Sequence, residues 1–268
     1  MVSIDAKNLN IEKISKSGQC FRLREVNGKF ALIAFGEYLF IEQQSDKVKF
    51  DCSKEKFDSI WSSYFDLETD YGKIEKSVKK QDLFLQKAVR FGSGIHILKQ
   101  DLWEMIITFI ISQQNNIKRI QKCIDVLCEK YGQEKKNKMN ESYYAFPTAK
   151  ALAGITEQDL RNCNLGYRAP YILSTAKKIA TGEVDLTSIE KMEYEQAKIE
   201  LLKLHGVGKK VADCICLFGL HQFEAFPIDT HINKILEKHY PKGFPFSCYM
   251  DTAGVMQQYL FYYDLWNV

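Results

Sequence analysis

The chain has 268 residues, 46% of them hydrophobic, and a formal net charge of +3. That length and hydrophobicity suit one large domain or two smaller ones with a real core, and exclude a wholly disordered chain. The charge does not announce a nucleic-acid binder, so any nucleic-acid contact must rest on a local basic face. Eight cysteines are scattered without a CxxC pair, zinc-finger spacing or a four-cysteine iron–sulfur run, which predicts reduced free thiols. The N-terminal MVSIDAKNLNIEK has no signal-peptide core and no apolar run reaches about 18 residues, so an intracellular protein without a membrane partner is expected.

In chain order, residues 20–52 read as antiparallel strands. FRLREV, KFALIAF, EYLFIEQ and KVKFDC alternate apolar and polar residues, with turns at Asn27-Gly28 and Ser45-Asp46. From Ser53 the spacing turns helical, with segments at FDSIWSSYF, YGKIEKSVKK and DLFLQKAVRF. The very apolar LWEMIITFIIS and the following IKRIQKCIDVLCEKY predict two helices separated by QQNN, residues 113–116. GQEKKNKMNES, 132–142, reads as a solvated linker. Helices are expected at about 148–153, 156–162, 169–181, 188–203, 209–220, 230–238 and 248–263. The predicted class is α+β: a small antiparallel β-sheet domain with flanking helices, 1–95, packed on an all-helical domain, 96–268. A helix–hairpin–helix motif is placed at about 193–220.

LLKLHGVGKKVADCICLFGL, 201–220, carries the first chemical signal. HGVG is too short for anything but a tight turn between two helices. Gly206 and Gly208 permit positive φ and close approach of another backbone. The amides of the turn and of the next helix's first turn, including that of Val211, lack preceding carbonyls and point outward with the positive helix end, which makes an anion site. A DNA phosphate fits it without any reading of sequence; a plain helix–turn–helix corner would use the same glycines. Lys210 shares a stripe with Cys214 and Leu217, so its amine is partly desolvated and part of it is neutral, which makes it a candidate Schiff-base nucleophile. A snorkelling surface lysine fits the same spacing. Lys209 points about 100° away, toward solvent or phosphate. Downstream, FPIDTHINKIL places Asp229 at a helix start, as an N-cap or as an ionised carboxylate able to stabilise a cationic sugar. His231 lies in that helix's first turn, within reach of a phosphate or simply at the core edge.

LHGVGKKVADCICLFGL followed by FPIDTHINKIL resembles the helix–hairpin–helix, Gly/Pro/Asp signature of base-excision DNA glycosylases, and GVGKKVADCICL looks like the 8-oxoguanine DNA glycosylase branch. SGQCFR (17–22), YFDLETDY (64–71), SQQNNIKRI (112–120), FPTAKALAG (146–154), LGYRAPYI (165–172) and AGVMQQYLFYYDL (253–265) also match in order, covering nearly the whole chain. The resemblance implies a Schiff-base lysine at Lys210 and its companion aspartate at Asp229. It implies an 8-oxoguanine site of Gly18, whose carbonyl meets the N7–H of the lesion, Gln257 on the Watson–Crick edge, Phe261 and Cys214 as walls, and Pro227. Gln114, Asn116, Arg119, Tyr167 and Arg168 are implied to fill the vacated stack and address the orphaned base. With Gly206, Gly208, Val211 and His231 they make up the DNA-contacting set. Backbone carbonyls of Leu202, Leu204 and Val207 are implied to hold a structural cation, while no redox or organic cofactor is required.

The activity so implied is removal of 8-oxoguanine from double-stranded DNA with Schiff-base lyase cleavage, by a monomer in a bacterial cytoplasm. A glycosylase for another lesion and a non-catalytic DNA-binding module are the rivals. Three departures stand out. His205 replaces the hairpin's usual proline, which predicts a less rigid turn. Gln114 replaces an asparagine beside the estranged base. Tyr262 and Tyr263 replace smaller residues.

Overall fold

The computed structural model describes residues 1–5 and 7–267. The chain opens with β1 (Val2–Asp5) and α1 (Ile11–Lys16), then β2 (Leu23–Val26), β3 (Lys29–Ala34), β4 (Glu37–Gln44) and β5 (Lys47–Phe50). Short α2 (Lys54–Lys56) and α3 (Ser62–Tyr64) flank a π turn at Phe57–Trp61. Next come α4 (Tyr71–Lys76), α5 (Leu83–Gly92), α6 (Leu102–Ser112) and α7 (Ile117–Tyr131). A ribbon of β6 (Glu134–Lys136) and β7 (Ser142–Tyr144) precedes α8 (Ala149–Ala153), α9 (Glu157–Leu160), α10 (Ala169–Ala180) and α11 (Leu186–Ile189). The rest is α12 (Tyr194–Leu201), α13 (Lys209–Gly219), α14 (Thr230–His239) and α15 (Ala253–Trp266). The architecture is α+β.

The sheet runs β1-β5-β4-β3-β2 and is antiparallel. Asn27 and Gly28 both take positive φ, 52° and 76°, the two-residue turn whose twist matches the flanking strands. Several expectations change. β1 and α1 were not foreseen; β1 is four residues long and pairs with a strand far along the chain, so it leaves little periodicity to detect. The segment taken for a solvated linker holds β6 and β7, and the part after residue 95 is therefore not wholly helical. Tyr143 anchors the ribbon, its hydroxyl and the Lys135 Nζ both donating to the Gly36 carbonyl at 3.2 and 2.8 Å. The single helix expected over 188–203 is two, because Glu193 is extended (ψ 156°) between α11 and α12. The last helix begins at Ala253, after two 3₁₀ turns at Phe246–Cys248 and Met250–Thr252.

The chain forms two compact units that no single cut separates. One comprises Met1–Leu32, Leu39–Lys99 and His221–Val268; the other, Ile33–Tyr38 and Gln100–Leu220. In the first, α15 packs on α5 and α14. Gly92 is required there, since a Cβ would stand 2.7 Å from the Tyr259 ring. In the second, α13 packs on α6 and α10 on α8. Side-chain caps start most of these helices: Asp101 for α6, Asn116 for α7, Thr148 for α8 and Asp229 for α14. No helix among the described residues is long and apolar enough to cross a membrane.

Candidate nucleic-acid interface and lysine site

In the helical unit, α12 ends at Leu201 and α13 starts at Lys209, so the turn is built by 202–208. Gly206 has φ +82°, and a Cβ on it would lie 2.4 Å from the Tyr171 ring. Glycine is needed at that position on both counts. Gly208 differs from its expectation: its φ is −92°, and a Cβ there would meet no atom within 4 Å. The glycine leaves open space outside the turn rather than supplying an unusual backbone angle. Gly208 is the N-cap of α13 and offers no side-chain cap, so the first amides of the helix face out uncapped. The expected slackness at His205 is countered by packing, for its ring meets Tyr171 edge-on at 4.5 Å.

Lys210 is half-buried while Lys209 is exposed, and along the same stripe Cys214 and Leu217 are buried. The Lys210 Nζ stands 5.6 Å from the Phe109 ring centroid, and Phe109 is itself stacked on Phe218 at 5.5 Å. An amine held on an aromatic face is kept away from bulk water with its lone pair or charge unspent on a carboxylate. Two further ionisable groups of α13, Asp213 and Cys216, are in defined settings. Asp213 binds Lys198 at 2.7 Å and accepts from the Tyr194 hydroxyl at 2.7 Å. Burial, then the Asp213 charge, pushes the Cys216 thiol up, so it stays protonated and does not compete as a nucleophile.

The remaining residues of this unit surround the QQNN loop. Gln114 is exposed with φ +46°, and Asn116 caps α7 by accepting from the Arg119 amide at 3.0 Å. Arg119 is exposed. Tyr167 is 44% exposed and its hydroxyl donates to the Gln113 carbonyl at 3.2 Å. Arg168 is buried and already engaged: its guanidinium donates to the Gln113 and Gln114 carbonyls and lies 4.4 Å from the Tyr167 ring centroid. Val211 is buried, leaving its main chain as the candidate contact. At the suggested cation carbonyls, Leu204 already accepts from the Val207 amide at 3.1 Å.

The other unit carries the residues that the resemblance assigns to the lesion except Cys214, which is on α13. Gly18 has φ +75°, and a Cβ would approach Phe261 Cε1 to 3.0 Å. Its neighbours are pinned by buried amides. Gln19 Nε2 donates to the Ser17 hydroxyl and the His96 carbonyl at 3.0 and 2.9 Å, its Oε1 accepts from the Leu98 amide at 2.8 Å, and Gln258 Nε2 donates to the Ser17 carbonyl at 2.7 Å. Gln257 is 5% exposed, its Nε2 donating to the Pro227 carbonyl at 3.0 Å while its Oε1 is buried with no partner. Phe261 is partly exposed although Tyr259 and Leu260 beside it are fully buried. Asp229 caps α14 through the Ile232 amide at 2.9 Å and remains partly exposed. His231 pairs through Nδ1 with Asp264 at 2.7 Å and meets Phe261 edge-on at 5.6 Å, which leaves its Nε2 as the atom a phosphate contact would have to use. The structure thus brings Gly18, Phe261 and His231 together, and Gln257 with Pro227. The supports Gln19 and Gln258 are additions of the structure; Gln258 had a signal in the sequence, its place beside Gln257 in a largely apolar final helix, where each must find a partner.

A model of the 8-oxoguanine DNA glycosylase N-terminal domain matches residues 1–106, and one of HhH-GPD superfamily base excision DNA repair proteins matches residues 107–242. This chain belongs to the HhH-GPD superfamily of base excision DNA repair proteins. Within that superfamily it is similar to the probable N-glycosylase/DNA lyase of Methanothermobacter thermautotrophicus, 31% identical over 272 residues covering 89% of this chain and 85% of that protein. It also resembles the N-glycosylase/DNA lyase of Saccharomyces cerevisiae, 39% identical over 158 residues. That match spans 55% of this chain and 42% of the yeast protein, less than half its length. Among solved structures, the Clostridium acetobutylicum 8-oxoguanine glycosylase/lyase in complex with double-stranded DNA containing cytosine opposite 8-oxoguanine superposes with a TM-score of 0.91 at 39% identity, covering 97% of this chain and 93% of that one.

Proposed function

We propose that this HhH-GPD protein is a bifunctional DNA glycosylase that excises 8-oxoguanine from duplex DNA and cleaves the resulting abasic site. The observation that carries the reading is Lys210, half-buried over Phe109 at the second position of the helix that follows an uncapped turn. The turn amides grip a phosphate without reading sequence. The damaged nucleotide leaves the stack, because its glycosidic carbon is unreachable within the duplex. The Lys210 Nζ lone pair attacks C1′ as the C1′–N9 pair departs with the purine, and the proton shed by the lysine nitrogen goes to the leaving base. Opening of the sugar gives a Schiff base; loss of a C2′ proton then expels the 3′ phosphate. Asp229, one oxygen held by the Ile232 amide at the start of α14, steadies the cationic sugar with its carboxylate.

In this reading the lesion base is recognised by the Gly18 carbonyl, by the unpartnered Gln257 Oε1, which accepts from its Watson–Crick edge, and by the Phe261 face, with Cys214 and Pro227 as further walls. Gln114, Asn116, Arg119 and Tyr167 serve the vacated stack, and Arg168 supports them. The reaction as written needs no cofactor. The carbonyls of Leu202, Leu204 and Val207 are hard neutral oxygens that would hold a cation at the turn, where its charge would favour an anion, and the Leu204 oxygen also accepts from the Val207 amide. The partner is duplex DNA carrying 8-oxoguanine, met by a monomer in a bacterial cytoplasm.

Borohydride trapping on an 8-oxoguanine duplex tests the reading. Wild type should be trapped and Lys210→Gln should not, with excision and strand cleavage both abolished and duplex binding retained. Undiminished trapping in that variant, or its loss in Lys209→Gln instead, overturns the assignment. Trapping confined to oxidised pyrimidines or alkylated purines would make this a glycosylase for another lesion. Binding with no excision of any base would make it a non-catalytic module.

A further inference from the structure

Gln113 is the residue at which the chain leaves α6, and it touches three segments of the helical unit. Its side-chain Nε2 donates across 93 residues to the Gly206 carbonyl at 2.9 Å, and to the Ile110 carbonyl at 3.2 Å. Its own carbonyl accepts from the Tyr167 hydroxyl at 3.2 Å and from two guanidinium nitrogens of Arg168. The next residue, Gln114, is held at φ +46° with its carbonyl also on Arg168, at 3.3 Å.

The bond to Gly206 falls at a mechanically sensitive place. Gly206 has positive φ, and the peptide joining it to Val207 is the kind that flips at little steric cost when glycine flanks it. Here that peptide is pinned at both ends: its carbonyl by Gln113, and its N–H by the Leu204 carbonyl at 3.1 Å. The amides that follow open α13, on which Lys210 stands.

We infer that Gln113 is a positioning residue that locks the phosphate-gripping turn and the gap-filling loop into one rigid part. The inference rests on the glycosylase reading above. A phosphate seated on the turn then fixes where Gln114 and Tyr167 meet the duplex and where the Lys210 amine points. Gln113 touches neither base nor sugar; it acts through Gly206 on one side and through Tyr167 and Arg168 on the other.

Two variants of the full chain test this. Gln113→Ala should lower single-turnover excision of 8-oxoguanine about tenfold, with affinity for undamaged duplex kept within about threefold, since the turn amides remain. Gln113→Glu gives a readout that a merely structural role would not move. A protonated carboxyl can donate to the Gly206 carbonyl and a carboxylate cannot. The Ile110 and Gly206 carbonyls facing that side chain disfavour a carboxylate and raise its pKa above the usual glutamate value of about 4.3, so relative to wild type at each pH its excision should recover as pH falls to about 5 and drop about tenfold by pH 8, while the Gln113→Ala deficit stays constant. Wild-type excision in Gln113→Ala, or a Gln113→Glu profile parallel to wild type, overturns the inference. Hydrogen exchange separates its failure from that of the glycosylase reading. Whatever base the enzyme removes, Gln113→Ala should speed exchange of the Val207 amide about tenfold, and unchanged exchange there overturns the lock.

Discussion

Gly206 and Gly18 both have positive φ, +82° and +75°, and each lies against an aromatic ring, Tyr171 in one case and Phe261 in the other. Their surroundings differ. Around Gly206 the ring is a wall behind the turn, while two residues on Gly208 faces open space and the amides of α13 are uncapped. Around Gly18 the flanking residues are buried, and Gln19 and Gln258 fix the backbone with four hydrogen bonds of 2.7–3.0 Å. A phosphate grip needs only exposed amides in a fixed curve, since every phosphate is alike. Telling 8-oxoguanine from guanine turns on one added N–H, and an acceptor placed for it must not move. The hairpin is therefore built from backbone, and the Gly18 loop, where the proposed function puts the lesion base, from backbone held by buried side chains.

The largest expected effect breaks the hairpin. Gly206→Ala forces a Cβ to 2.4 Å from the Tyr171 ring at a backbone angle alanine avoids, and should destabilise the protein by about 2–5 kcal/mol in urea unfolding. A near-normal unfolding midpoint would show that the turn is not packed as described.

Next comes the foundation of the Gly18 loop. Asp66 is fully buried, accepts from the Tyr71 hydroxyl at 2.8 Å, and is paired with Lys99 at 3.0 Å and His221 at 3.2 Å. Tyr71 in turn accepts from the Ile97 amide at 2.8 Å, next to His96, whose carbonyl holds Gln19. Burial alone would push the Asp66 carboxyl up, but His221 and Lys99 together outweigh it and hold it below the usual carboxylate range. A depressed carboxyl contributes stability that is present above the unfolded value of about 3.9 and is lost as pH falls toward the folded one. Stability should therefore decline below about pH 4 in wild type, and Asp66→Asn, less stable at neutral pH by roughly 1–3 kcal/mol, should lack that share of the decline. Parallel acid limbs in urea midpoints for the two proteins would rule this network out as the cause.

A smaller effect separates recognition from grip. Phe261→Ala and Gln257→Ala should each lower excision of 8-oxoguanine about ten- to a hundredfold, through lost stacking and lost hydrogen bonds to the base. Affinity for undamaged duplex should not change. Equal losses on damaged and undamaged DNA would mean that α15 is core and nothing more.

The smallest effect falls on Gly208. Its substitution by alanine meets no protein atom, so stability should hold within about 0.5 kcal/mol. Duplex affinity should fall about three- to tenfold, because the new methyl occupies the space a phosphate would take. Unchanged binding isotherms across a salt series would move the phosphate away from this turn.

The sequence by itself determined the elements whose signal is local. Asn27-Gly28 between alternating runs specified a hairpin, and the spacing of LWEMIITFIIS and IKRIQKCIDVLCEKY specified α6 and α7 to the residue, because periodicity and turn chemistry act over a few neighbours. HGVGKK specified a tight turn with a lysine at the start of the next helix for the same reason. Tertiary structure decided what depends on distant partners. β1 exists because β5 lies ready to pair with it, and the polar 132–142 stretch is a ribbon because Gly36 accepts from Lys135 and Tyr143. Gln257 is a buried amide rather than a surface one, and Arg168 is a support on the Gln113 and Gln114 carbonyls rather than a free donor. A side chain's type fixes what it can bond, but only the folded chain decides which acceptor is within reach and whether water is left to compete for it.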